Sequence, residues 1–141
     1  MAGTRTLTIV KPDAFGASKA GLIVALLEKE GFTVKAARVL HMTVAQAGEF
    51  YAVHKGRPFY GELVEFMASG SCMPLVLERA DAVATLRRVI GATDPAEAAE
   101  GTVRKLYAES KGRNAIHASD SDENAAIESS FFFAGAELAG A

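Results

Sequence analysis

The segment Asn114-Ala115-Ile116-His117-Ala118-Ser119-Asp120 sets one of the chain's three histidines among short polar residues, and a carboxylate, Glu128, follows eleven residues later. Near pH 7 a neutral imidazole presents a nucleophilic nitrogen that can accept a phosphoryl or acyl group directly. A carboxylate on its second nitrogen would fix the tautomer and stabilise the cation created by attack. Taken alone, such a histidine is more often structural. The rest of the chain tips the balance.

Four further blocks stand in order along the sequence. They are Thr6-Leu7-Thr8-Ile9-Val10-Lys11-Pro12-Asp13; Phe50 to Lys55 with Arg57-Pro58-Phe59-Tyr60; Gly91-Ala92-Thr93-Asp94-Pro95; and Gly101-Thr102-Val103-Arg104. With the His117 segment they run from about Thr4 to Phe133, and in order and spacing they resemble the nucleoside diphosphate kinase family. The resemblance implies transfer of the γ-phosphate of a nucleoside triphosphate, mainly ATP, to a nucleoside diphosphate. Donor and acceptor would use one site in turn, through a phosphohistidine on His117.

The other common phosphoryl-transfer signatures are missing. Gly16-Ala17-Ser18-Lys19 lacks the spacing and the hydroxyl of a P-loop, and no kinase-type Gly-rich or His-Arg-Asp loop occurs. Phosphoryl transfer otherwise needs in-line geometry and positive charge. The resemblance assigns that charge to Lys11, Arg87 and Arg104, with a hydroxyl from Thr93. Arg87 and Arg88 project about 100° apart on a helix, and sequence alone does not choose between them.

By the same resemblance Tyr51 lines the pocket near His117, Phe59 stacks on the base, and Asn114 with Lys11 meets the ribose hydroxyls. Phe59 by itself reads better as a core residue beside Pro58. Stacking discriminates poorly among bases, so purines and pyrimidines, ribose and deoxyribose should all be accepted. Glu128 lies seven residues after Ser121, about two turns and about 10 Å along one helix face, and so could stand behind the imidazole. Ser119 could bond that carboxylate or cap the helix. Magnesium would ride on the nucleotide's phosphates, with Asp120 reaching it through water.

Four positions depart from the family pattern. Ala118 replaces a glycine, which matters only if that position needs positive φ. Lys111 stands where an apolar residue usually closes the far side of the base. Ser71 and Glu100 replace prolines. A catalytically inert nucleotide-binding or scaffolding relative is the alternative, but its mark would be loss of His117 or of the clamp, and neither is lost.

These groups must be held by a chain of 141 residues, enough for one domain spanning 1–141 with its own core. Half the residues are apolar, and fifteen basic side chains face seventeen acidic ones, giving a net charge of −2. No run of like charge supplies a nucleic-acid or anionic-membrane footprint. The lone cysteine, Cys72, reads as a small core residue. With no hydrophobic signal region and no spanning segment, a cytoplasmic protein is expected.

The apolar pattern suggests strands at Thr6 to Val10, Phe32 to Leu40, Met73 to Leu77 and about Ala115 to Ala118. Helices are expected around Leu22 to Leu27, from a Thr43 capping box towards Tyr51, over Tyr60 to Met67, and over Val83 to Ile90. A last helix is expected after an Asp120 cap with Glu123 at its third position. The order predicts an α+β sandwich. The resemblance sharpens it to a ferredoxin-like βαββαβ core, an antiparallel four-stranded sheet with additional helices. Phe131-Phe132-Phe133 either closes the core or buries against another subunit. The resemblance also implies a homo-oligomer, a hexamer before a tetramer.

Overall fold

A computed structural model describes residues 3–139. β1 (Arg5–Val10), β2 (Thr33–Ala37), β3 (Met73–Glu78) and β4 (Ile116–Ala118) form one sheet in the order β2-β3-β1-β4. Every neighbouring pair is antiparallel, which makes the fold ferredoxin-like. β1 is central and pairs with β3 along its whole length, from Arg5 opposite Glu78 to Val10 opposite Met73. On its other edge Ile9 pairs with His117. The candidate nucleophile is thus carried by the strand next to the most buried one.

Helices cover both sheet faces, so β1 and β3 are apolar on both sides and read as near-continuous hydrophobic runs. On one face Val10, Leu75 and Leu77 pack with Ile23 and Leu27 of α2 (Ala20–Lys29) and Leu86 of α5 (Ala82–Ile90). On the other, Leu7, Ile9 and Val76 meet Ala47 of α3 (Val44–Phe50) and Met67 of α4 (Tyr60–Met67). Leu7, Ile9, Leu27 and Leu86 have no exposure; truncating one to alanine should cost about 2–5 kcal/mol.

The Thr43 capping box forms as read: its side chain accepts from Gln46 N, and the Gln46 side chain accepts from Thr43 N. Pro74 is tolerated at the second position of β3 because β2 ends opposite Leu75, leaving fewer ladder bonds to lose. The second strand is shorter than expected. It stops at Ala37, bulges at Lys35, and leaves Leu40 as an isolated bridge to Cys72.

Three short helices were not legible: α1 (Pro12–Gly16), which starts on the Lys11-Pro12-Asp13 turn with proline at its first position, α6 (Val103–Tyr107) and α8 (Gly135–Leu138). The last long helix, α7 (Asp122–Phe132), is capped by Ser121, whose side chain accepts from Asn124 N at 3.0 Å. Asp120 instead accepts from the Asn124 side chain at 2.6 Å. The cap shifts by one residue because a serine hydroxyl at 121 reaches the third helical amide.

Phe132 and Phe133 are each 5 % exposed within this chain, whereas Phe131 is 38 % exposed. Most of the aromatic run closes the chain's own core. Of the three, Phe131 alone is left exposed.

Candidate functional site

His117 sits at the middle of β4 with its backbone carbonyl accepting from Thr8 Oγ1 at 2.7 Å. Its Nε2 lies 2.7 Å from Glu128 Oε1, and the same oxygen accepts from Ser119 Oγ at 2.8 Å. Two turns of α7 bring Glu128 back behind the imidazole. Ser119 therefore bonds the carboxylate and does not cap the helix. Because an ionised carboxylate only accepts, Nε2 carries the proton and Nδ1 keeps the lone pair. Nδ1 has no hydrogen-bond partner among the described residues.

Two aromatic rings fix the plane of the imidazole. Phe50 meets it edge-on at 5.4 Å and Tyr51 at 6.1 Å. Tyr51 is 5 % exposed, and its hydroxyl is buried without a partner. Burial first, then the charge of Glu128, pushes the phenol well above its ordinary range, so it stays protonated. A buried, unpaired O–H beside the imidazole is a donor waiting for an acceptor.

The stretch before β4 turns sharply. Ile116 N donates to Asn114 O at 2.8 Å, closing a three-residue γ-turn around Ala115, whose φ is +72°. Left-handed backbone at a residue with a Cβ is costly, of order 1–3 kcal/mol, and it turns Asn114 away from the strand direction of His117. Ala118 lies in ordinary strand geometry opposite Thr8. It does not have positive φ, so the glycine-to-alanine departure adds no strain.

Asn114 is buried, and its Oδ1 accepts from Lys11 Nζ at 2.9 Å. Lys11 leaves the end of β1 with Pro12 fixing the next turn, and its ammonium lies 5.9 Å over the Phe66 ring. Burial first, then Arg104, lower the Lys11 pKa to about 8, against a smaller raising effect from Asp13. Arg104 donates to the carbonyls of Gly91 at 3.0 Å, Asn114 at 3.4 Å and Ile116 at 2.8 Å. Burial and Arg87 bring its pKa down to about 10. A guanidinium has five N–H donors, so Arg104 braces the site and still keeps donors to offer.

Arg87 extends from α5 to the carbonyl of Ala118 at 3.3 Å, next to the imidazole. Arg88, exposed like Arg87, also borders the loop-side cavity. Only Arg87 reaches β4. The loop from 92 to 101 folds over this cavity of about 430 Å³, bounded by Arg87, Thr93, Thr102 and Arg104. Gly91 permits the fold. Its φ is +91°, and an added Cβ would fall 2.5 Å from Thr102 Oγ1.

A second, more apolar cavity of about 680 Å³ is bounded by Lys11, Phe59, Phe66, Thr93, Lys111 and Asn114. Thr93 borders both cavities, the first lined by arginines and the second by aromatic rings. Phe59 is 46 % exposed, which removes the core-residue reading. Lys111 places a charge on the rim of this aromatic cavity. Asp120 is exposed at the start of α7. The Asn124 hydrogen bond, with a contribution from Arg87, keeps its carboxyl below the usual range.

Sequence reading places Phe50 and His54 in a family-like block without giving either a role, and passes over Phe66. His54 lies between Tyr51 at 6.3 Å and Phe59 at 5.3 Å, linking the two halves of the aromatic wall. Its i+3 spacing from Tyr51, one helical turn, was the available signal.

The nucleoside diphosphate kinase family model matches residues 4–138. The chain belongs to the nucleoside diphosphate kinase family. It is 62 % identical to the nucleoside diphosphate kinase of Chlorobium chlorochromatii over 134 residues, 95 % of this chain and 96 % of that one. To the Sorangium cellulosum protein of the same description it is 57 % identical over 139 residues, covering 99 % and 96 %. Among solved structures, that of the Aquifex aeolicus nucleoside diphosphate kinase superposes with a TM-score of 0.93 at 48 % identity, covering 95 % and 97 %. That from Encephalitozoon cuniculi gives 0.88 at 34 %, covering 93 % and 89 %. Family membership makes the chain an enzyme, a phosphotransferase.

Proposed function

We propose that the protein moves the γ-phosphate of a nucleoside triphosphate, mainly ATP, to a nucleoside diphosphate through a phosphohistidine on His117. The observation that carries this reading is the split of the imidazole: Nε2 held by Glu128, Nδ1 free. In the first half-reaction the Nδ1 lone pair attacks the γ-phosphorus. An N–P bond forms, the bridging P–O bond breaks, and the diphosphate leaves with the electron pair. The ring becomes cationic, and Glu128 stabilises it through the Nε2 proton. A second diphosphate then reverses each step.

Lys11, Arg87 and Arg104 supply fixed positive charge along the phosphates, and Thr93 a hydroxyl. Such preorganised donors stabilise the charge spread over the migrating group. Tyr51 offers its unpaired O–H from beneath. Phe59 stacks on the base, and Lys11 with Asn114 holds the ribose hydroxyls, which accommodates ribo and deoxyribo substrates alike. Magnesium enters on the nucleotide. The donor set suits a hard cation already carrying phosphate oxygens and waters, and Asp120, kept ionised, would hold it through water. When bound, the ion neutralises phosphate charge.

Two broader readings accompany this one. A homohexamer, with a tetramer as the other choice, rests on family membership and on exposed apolar side chains such as Leu22 and Val39. A cytoplasmic location rests on the composition; among the described residues, no helix is long and apolar enough to cross a membrane. Initial-rate kinetics with both nucleotides varied test the mechanism. Parallel double-reciprocal lines are expected, whereas intersecting lines would require both nucleotides bound at once. Light scattering coupled to gel filtration tests assembly, and a mass of one 14.8 kDa chain would overturn it.

A further inference from the structure

The γ-turn at Ala115 puts a strained residue between the two groups that, in the proposed reaction, must act on opposite ends of one nucleotide: Asn114 on the ribose and His117 on the phosphate. Something must offset that strain. Lys11 N donates to Ala115 O at 2.9 Å, which fixes the carbonyl side of the turn. The amide side is fixed by a side chain outside the proposed catalytic set. Ala115 N donates to Asp13 Oδ2 at 3.0 Å, across 102 residues of sequence.

We propose that Asp13 is a positioning residue, whose carboxylate clamps the Ala115 amide and so sets the separation of Asn114 from His117; the proposal rests on the phosphohistidine reading above. The carboxylate makes no other hydrogen bond among the described residues. Its Oδ1 is buried with no partner, and leaving a buried carboxylate oxygen unpaired is costly. Its charge also faces Lys11 and Arg113, but its side-chain hydrogen bond goes to the Ala115 amide. That bond ties α1, anchored to the end of β1, to the left-handed residue that precedes β4. Lys11 adds a parallel tie through Nζ to Asn114 Oδ1. Asn114 is thereby held from both sides of the turn, while Glu128 holds His117.

The clamp makes a specific claim about ribose discrimination. With the turn intact, a donor with ribose hydroxyls is aligned by Asn114 and Lys11 as its γ-phosphate meets His117. A misplacement near 1 Å can cost about 100-fold, so Asp13→Ala should slow His117 phosphorylation by ATP on that order. It should have much less effect with 2′,3′-dideoxy-ATP, which gains nothing from Asn114. The wild-type preference for ATP over the dideoxy donor should therefore collapse towards one in Asp13→Ala. It should persist in Asp13→Asn, whose amide oxygen still accepts from Ala115 N. A merely destabilised fold would slow both donors alike.

Ala115→Gly supplies the rescue, because glycine adopts positive φ without strain. The Asp13→Ala/Ala115→Gly double variant should fold and regain most of the preference even if Asp13→Ala alone does not fold. The measurement is single-turnover phosphorylation of the purified full chain by each labelled donor. An unchanged ATP preference in Asp13→Ala, or a double variant no better than Asp13→Ala, would overturn the clamp. Failure of the wild-type chain to label from either donor would instead overturn the phosphohistidine reading itself.

Discussion

Glu128 Oε1 lies 2.7 Å from Nε2 of His117, and Ser119 holds that same oxygen at 2.8 Å. The carboxylate is thus aimed before any substrate arrives, and the aim decides which ring nitrogen can react. Glu128→Gln keeps the shape but can present either an oxygen or an N–H to the ring, and it removes the charge that steadies the cation. Phosphotransfer should fall by about 10- to 100-fold or more, the usual cost of losing an orienting partner. Stopped-flow measurement of the first half-reaction checks this. A rate equal to wild type would detach Glu128 from the chemistry.

Arg87 and Arg104 should separate activity from stability. Arg87 is exposed and makes one long bond to a carbonyl, so Arg87→Ala should slow transfer by about 10- to 1000-fold and leave thermal unfolding nearly unchanged. Arg104 is 9 % exposed and bonds three carbonyls. Removing it should cost comparable activity and about 1–3 kcal/mol of stability, because the Gly91 and Ile116 carbonyls lose their side-chain donor. Paired assays of rate and Tm decide, and equal Tm losses in the two variants would contradict the division.

Phe59→Ala should weaken nucleotide binding by about 1–3 kcal/mol. Stability should change by less than about 0.5 kcal/mol, because the ring is a surface group. Calorimetric titration and thermal unfolding read the two effects. Intact affinity in an unfolding-prone variant would return Phe59 to the core.

Lys11 supplies a pH dependence with opposite signs for binding and folding. Its pKa is lowered from 10.5 to about 8. Nucleotide affinity should weaken as pH rises through about 8, because the free enzyme loses the positive charge that meets the ligand. Between about 8 and 10.5 the unfolded chain binds a proton that the folded chain does not. Lys11's own contribution to folding stability therefore rises with pH across that window. Titration of nucleotide Kd at stepped pH tests the binding arm. Affinity that held constant through pH 8 would remove Lys11 from the contact.

Sequence periodicity was enough for the sheet and the long helices because β1 and β3 are buried on both faces and α5 carries a clear apolar stripe. It failed on α1, α6 and α8, each five residues or fewer, too short for a 3.6-residue period to register. The site residues were legible as motifs, but their geometry was not. Ser119 reads as a cap until Glu128 returns over it, and Phe59 reads as core until its exposure is known. Asp13 carried no readable signal of its clamp, since a bond across 102 residues leaves no local pattern.

The most direct test of the central claim is to incubate the full chain with γ-labelled ATP and magnesium, then map the label. We expect an acid-labile, alkali-stable phosphate on His117, carried on Nδ1, that passes to added nucleoside diphosphate and is absent from His117→Ala. Undiminished labelling of His117→Ala, or an acid-stable label on a hydroxyl, would contradict it.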